Sequence, residues 1–233
     1  WNAILWLLWQ RRMAAAQVAN RRSCALPMKT PRYWSTATRE LAACDPVMKK
    51  LVAKFKGLTL RSRGDAFNTL ARSIVGQQIS VKAAQSVWNK LVAAVPDMHP
   101  AIIHRQDADA LRACGLSRSK VVYLHDLAHH FIAGKLSVEQ WEHMSDDELI
   151  AELTQVRGIG RWTAEMFLIF YLTRPDVLPL ADIGLQRAMN LHYNNAKPLS
   201  QRKIVTITRR WQPWRSVATW YMWRSLDPVP VEY

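Results

Sequence analysis

Two short stretches carry residue types whose spacing could do chemistry. The first is Val156-Arg157-Gly158-Ile159-Gly160-Arg161-Trp162-Thr163-Ala164, a turn between two helical patterns with glycines at both ends of the G-I-G triplet. Glycines so placed let backbone approach a ligand closely. The amides opening the following helix have no partner inside it and carry the positive end of its dipole, so they form a ready phosphate site. Such a site grips a sugar–phosphate backbone and reads no base. A lone G-x-G turn is often only a tight corner; Arg161 and Thr163 behind it make the string more specific. The second stretch is Leu178-Pro179-Leu180-Ala181-Asp182, which ends on a carboxylate 22 positions after Gly160. A carboxylate at the close of a loop can stabilise a developing positive charge and orient or deprotonate water. It can equally be the N-cap of the helix beginning at Ile183, the commoner fate of an aspartate there.

The elements that must position these groups read as helices throughout, with strand signals nearly absent. The pattern predicts helices over Tyr33–Ala43, from the Asp45-Pro46 cap to near Gly57, and over Asp65–Val75 and Val81–Val95. Asp107–Cys114 stops at Gly115, and Ser117–Ala133 shows one apolar face at Val121, Leu124, Leu127, Ala128 and Phe131. Ser145-Asp146-Asp147-Glu148 has the capping-box form and opens the helix before the G-I-G turn. Arg161–Leu172, Asp182–Leu191, Ser200–Trp211 and Pro213–Leu226 complete an all-α chain with short connections, and Pro228 and Pro230 end it.

The chain has 233 residues, of which 49% are hydrophobic, enough for one large domain or two small lobes with a real core. Lys and Arg number 32 against 18 Asp and Glu, a net charge of +14, which points to a polyanionic partner, nucleic acid before membrane. Residues 1–27 contribute Arg11, Arg12, Arg21 and Arg22 and no acid; without them the charge is +10, so the bias belongs to the body. An Arg-rich, acid-free leader has the composition of an organelle transit peptide. Met28-Lys29-Thr30-Pro31 reads as a natural start, however, so residues 1–27 are expected to be a dispensable extension, disordered or non-native, before a single domain over 28–233. The apolar run Ala3–Trp9 is too short to span a bilayer. Cys24, Cys44 and Cys114 suggest neither a disulfide framework nor a CxxC site, and fit a reducing, intracellular setting. Among eleven tryptophans, Trp211, Trp214, Trp220 and Trp223 crowd the end of the chain, as aromatic core or as a pocket that stacks a flat ligand.

The hairpin string, the Leu178–Asp182 stretch and Gln186-Arg187 together resemble the helix-hairpin-helix glycosylase superfamily. Within it, Ser73-Ile74-Val75-Gly76-Gln77-Gln78-Ile79-Ser80 and Trp211-Gln212-Pro213-Trp214-Arg215-Ser216, leading to Trp223, are most similar to the 3-methyladenine DNA glycosylase II branch. The likeness covers about Tyr33 to Leu226. It implies two helical lobes with a DNA-binding cleft between them, a catalytic aspartate at Asp182, and base-pocket walls at Trp162, Met166 and Trp223. It implies DNA contacts at Gly158, Ile159, Gly160, Arg161, Thr163 and Arg187, and a wedge filling the vacated base stack at Gln78. It also implies a monovalent cation held by the backbone carbonyls of Thr154, Val156 and Ile159. Arg187 could instead pair with Asp182 or lie on a solvated face.

Departures narrow the expectation. Bifunctional relatives carry a nucleophilic lysine where Trp162 stands, so no residue offers a Schiff-base lyase step. Iron–sulfur relatives need four clustered cysteines near the C-terminus, and this tail has none. Arg157 replaces the usual proline, adding a phosphate contact, and Met166 replaces a pocket tyrosine of one branch. An alkylated purine already carries positive charge and leaves without a general acid, so one aspartate suffices, and no second carboxylate stands out. The expected protein is a monofunctional glycosylase of alkylated purines in duplex DNA, needing no cofactor, monomeric, with no membrane, and working wherever the DNA is: bacterial cytoplasm or nucleoid, or nucleus. The alternatives are excision of uracil, mispaired or oxidised bases, and a non-catalytic hairpin module that only binds DNA. His125 and His129 lack the HExxH glutamate, Ser73 and Ser216 have no GxSxG setting, and there is no Walker loop.

Overall fold

The computed structural model of the chain describes residues 30–226, apart from 63, 64 and 137. The expected extension at 1–27 and the closing prolines Pro228 and Pro230 lie outside the described residues. Among the described residues all regular structure is helical: α1 (Trp34–Cys44), α2 (Pro46–Lys54), α3 (Ala66–Gly76), α4 (Val81–Ala94), α5 (Pro100–Arg105) and α6 (Ala108–Ala113) come first. Then follow α7 (Arg118–Ile132), α8 (Asp146–Leu153), α9 (Arg161–Phe170), α10 (Ile183–Tyr193), α11 (Gln201–Thr208) and α12 (Arg215–Leu226).

Local chemistry starts most of these helices. Asp45, Asp65, Ser80, Asp107, Ser117, Ser145, Asp182 and Ser200 each accept a backbone N–H of the first turn. At Ser145 both halves of the capping box form. Two expectations need correction. The helix α5 was not expected; it opens on Pro100 behind a His99 cap and is too short for an apolar period to show. The stretch read as one helix over Ser200–Trp211 changes to a 3₁₀ turn at Arg209–Trp211, and the last helix begins at Arg215, not Pro213.

The helices form two lobes. A central lobe gathers α3 to α9 around α7, which packs against α3, α5 and α6. Its core includes a run of aromatic contacts from Phe67 through Phe131, Trp141 and Phe167 to Tyr171. A terminal lobe joins α1 and α2 to α10, α11 and α12, so segments from both ends of the described chain share a core. There Trp34 meets Trp220 edge-on, with ring centres 5.1 Å apart. Buried Asp45 caps α2 while accepting the Tyr193 hydroxyl at 2.8 Å and the Trp211 indole N–H at 3.2 Å. The segment between α9 and α10 joins the lobes. Arg215 makes a two-pronged pair with Asp176 at 2.8 Å, and Tyr33 donates its hydroxyl to the Thr173 carbonyl.

Candidate active site

Asp182 stands where the loop from the central lobe enters α10. The loop is tightly made. The Asp182 amide donates to the Pro179 carbonyl at 3.0 Å, and the Gln186 side chain reaches back to the Leu180 carbonyl at 2.7 Å. Asp182 is buried, 8% exposed, and its carboxylate receives three hydrogen bonds. Oδ1 accepts the Leu185 backbone N–H at 2.6 Å and the Trp223 indole N–H at 2.7 Å; Oδ2 accepts the Trp162 indole N–H at 2.9 Å. Asp182 is therefore an N-cap and more than an N-cap. Its two oxygens are held between indoles from different lobes, Trp162 on α9 and Trp223 on α12. An ionised carboxylate offers about four acceptor positions, so one remains for water or substrate.

Gly184 makes this meeting of groups feasible. A Cβ there would stand 3.1 Å from both Asp182 Oδ1 and the Trp223 ring. Phe170, at the end of α9, stacks on Trp223 with ring centres 5.7 Å apart and planes 14° off parallel. Neither Gly184 nor Phe170 stood out in the sequence: Gly184 lies in the first turn of the helix expected over Asp182–Leu191, and a phenylalanine in an apolar helix looks like core. A second carboxylate was also missed. Glu165, buried on α9, bonds the Arg161 guanidinium at 3.1 Å. Burial pushes its pKa up, the Arg161 bond and charge pull it down, and the charge of Asp182 adds to the rise.

Trp162 also lines a cleft of about 1200 Å³ in the central lobe. Met166 and Thr163 line it beside Trp162, the α3–α4 loop with Gln77 and Gln78 faces them, and Gly158 and Gly160 close one side. The cleft walls belong to the central lobe, and the terminal lobe contributes Asp182 and Trp223 next to its Trp162 wall. The loop tip is unusual. Gln78 is exposed with φ of 58°, a conformation uncommon for any residue with a Cβ, and exposed Ile79 follows it.

At the hairpin, Gly158 has φ of +84° and lies so close to Tyr123 that a Cβ would come within 2.3 Å of its ring. Gly160 faces open space and offers no side-chain cap to the first amides of α9. Ile159 buries its side chain in the core, so only its backbone is available to a ligand. The exposed Arg161 reaches Glu165 and, at 3.4 Å, Asp147. Thr163 is buried at the cleft wall. Arg187 is exposed on α10; the pairing with Asp182 weighed as one reading is not made, because Leu185, Trp162 and Trp223 hold that carboxylate. Of the four clustered tryptophans only Trp223 reaches the carboxylate. Trp211 and Trp220 are buried in the terminal lobe, and Trp214 stacks on Tyr33 and bonds Glu40.

Residues 71–215 match the HhH-GPD superfamily base excision DNA repair protein. The chain belongs to the HhH-GPD superfamily. Among its relatives, DNA-3-methyladenine glycosylase 1 of Schizosaccharomyces pombe is 32% identical over 180 residues, 76% of this chain and 79% of that one. The S. pombe 3-methyladenine DNA glycosylase Mag1, solved in complex with abasic DNA, superimposes with a TM-score of 0.71 at 31% identity, covering 85% of this chain and 98% of Mag1. A DNA-3-methyladenine glycosidase of Bacillus halodurans gives 0.76 at 30% identity, covering 86% and 93%. As an HhH-GPD protein this chain is a DNA glycosylase of base excision repair. No described helix is long and apolar enough to cross a membrane.

Proposed function

We propose that this HhH-GPD protein hydrolyses the N-glycosidic bond of alkylated purines, 3-methyladenine and 7-methylguanine, after turning the damaged nucleotide out of duplex DNA. The observation that carries the reading is the Asp182 carboxylate held by two indole N–H groups beside a cleft. The first amides of α9, which no side chain caps, take a phosphate. The exposed Gln78 tip enters the stack as the base leaves it, an exchange that costs a few kcal/mol and less at a damaged pair. Trp162, Met166 and Trp223 receive the base. A cationic base over an indole face gains about 0.5–2 kcal/mol, which favours alkylated over neutral purines.

As the bond between C1′ and the base nitrogen breaks, its electron pair goes to the base, and the cationic purine departs neutral. Asp182 stabilises the positive charge growing on the sugar and takes the proton from the water that bonds C1′. No lysine replaces water in this step, because Trp162 stands where a nucleophile would act, so the strand is left abasic and uncut. The carbonyls of Thr154, Val156 and Ile159 would hold a monovalent cation: neutral oxygen donors in a tight turn suit a hard, singly charged ion. When bound it would add positive charge beside the phosphate. We read the protein as a monomer that works with DNA inside the cell. Incubation with duplexes carrying 7-methylguanine, 3-methyladenine, uracil or 8-oxoguanine tests the reading. Free alkylated base and intact abasic strand are expected; release of uracil alone would overturn it.

A further inference from the structure

The DNA-contacting parts of this site are separate loops, and one helix face ties them together. Lys120, Tyr123 and Asp126 follow one another at three-residue spacing on α7, so they share a face. The Lys120 ammonium donates to the Val75 carbonyl at 2.7 Å and to the Gln77 carbonyl at 2.8 Å. These are carbonyls at the C-terminal end of α3, where a cation is favoured and where the chain turns out to the Gln78 tip. Tyr123 fills the space over Gly158, and Asp126 Oδ2 accepts the Arg157 backbone N–H at 2.8 Å. Between the two loops, Gln77 Nε2 donates to the Gly158 carbonyl at 2.7 Å. The wedge loop and the phosphate-gripping turn are thus fastened both to α7 and to each other.

We infer that Lys120 is a positioning residue for base extrusion: it holds the Gln77–Gln78 loop at a fixed reach from the hairpin, so that the wedge meets the duplex while the hairpin holds the backbone. This rests on the proposed role of the Gln78 tip. Gln78 keeps an uncommon positive φ, and such backbone persists only where the surroundings enforce it. Lys120 supplies that enforcement, since its two bonds go to two of the last three carbonyls before the tip, those of Val75 and Gln77. Its half-buried ammonium, with a pKa lowered by desolvation, is spent on these carbonyls and not on solvent. Chemistry at Asp182 does not use Lys120. Loss of Lys120 therefore weakens extrusion and spares bond breaking.

The test compares single-turnover release of 7-methylguanine from two duplexes, one with the lesion paired to cytosine and one with it mispaired, where extrusion costs less. Lys120→Met keeps the stem and removes the donors. It is expected to slow release from the paired site about tenfold and from the mispaired site no more than about twofold, with Lys120→Arg restoring most of the rate. Gln77→Met, which cuts the link to Gly158, is expected to show the same selectivity should Lys120→Met fold poorly. Gln78→Gly removes the tip side chain at a φ that glycine accepts, and serves as the reference. Selective loss in Gln78→Gly but equal or no loss in both Lys120→Met and Gln77→Met overturns the positioning role alone. No selective loss in Gln78→Gly overturns the wedge role and this inference with it.

Discussion

Gly184 is the least conspicuous residue near the carboxylate and among the most constrained. The backbone there suits any residue, and the helix preference of alanine over glycine, up to about 1 kcal/mol, offsets part of the contact strain, so Gly184→Ala should stay folded with a stability close to the parent's. Its methyl would nevertheless press on Asp182 Oδ1 and the Trp223 ring at 3.1 Å. Base excision should therefore fall about tenfold while Tm changes little, a separation that single-turnover rates and thermal melts would reveal. Trp162 allows a second test of the same clasp. Trp162→Phe keeps an aromatic wall but removes the indole N–H from Asp182 Oδ2. Excision should drop by about tenfold or more while affinity for abasic DNA stays near the parent value; a matching loss of affinity would make Trp162 a DNA-binding residue first.

The hairpin contains two glycines with different duties, and substitution should separate them. Gly158→Ala combines a positive φ with a clash against Tyr123, so it should cost about 2 kcal/mol or more of stability and weaken DNA binding with it. Gly160→Ala meets open space and should leave Tm nearly unchanged, yet lower DNA affinity by crowding the amides of α9. Melting curves beside binding isotherms would check both. Helix starts such as Asp45, Ser117 and Ser145 were legible in the sequence because capping is local chemistry between neighbours. The bond from Asp45 to Tyr193 and Trp211 was not, since those partners lie more than a hundred positions away. The same limit hid Phe170 behind Trp223 and the Lys120 bonds to the wedge loop. Asp182, Trp162 and Trp223 could be named through a family pattern; that both indoles donate to that carboxylate required the fold.

At the scale of the whole molecule, the two lobes meet where α9 and α12 each send an indole to the loop between them, so the site is assembled only when both lobes are in place. The net charge of +10 outside residues 1–27 gives this assembly a long-range attraction to DNA. The logarithm of affinity should accordingly fall linearly with the logarithm of salt, with a slope of roughly −0.9 for each phosphate neutralised. A flat response would contradict a phosphate-led interface. Excision depends above all on Asp182. Release of alkylated base from duplex DNA by Asp182→Asn, measured under single turnover beside its affinity for abasic DNA, tests it most directly. Excision at least about a hundredfold slower with abasic-DNA binding retained is the predicted result; excision at the parent rate by a variant that still binds would contradict it.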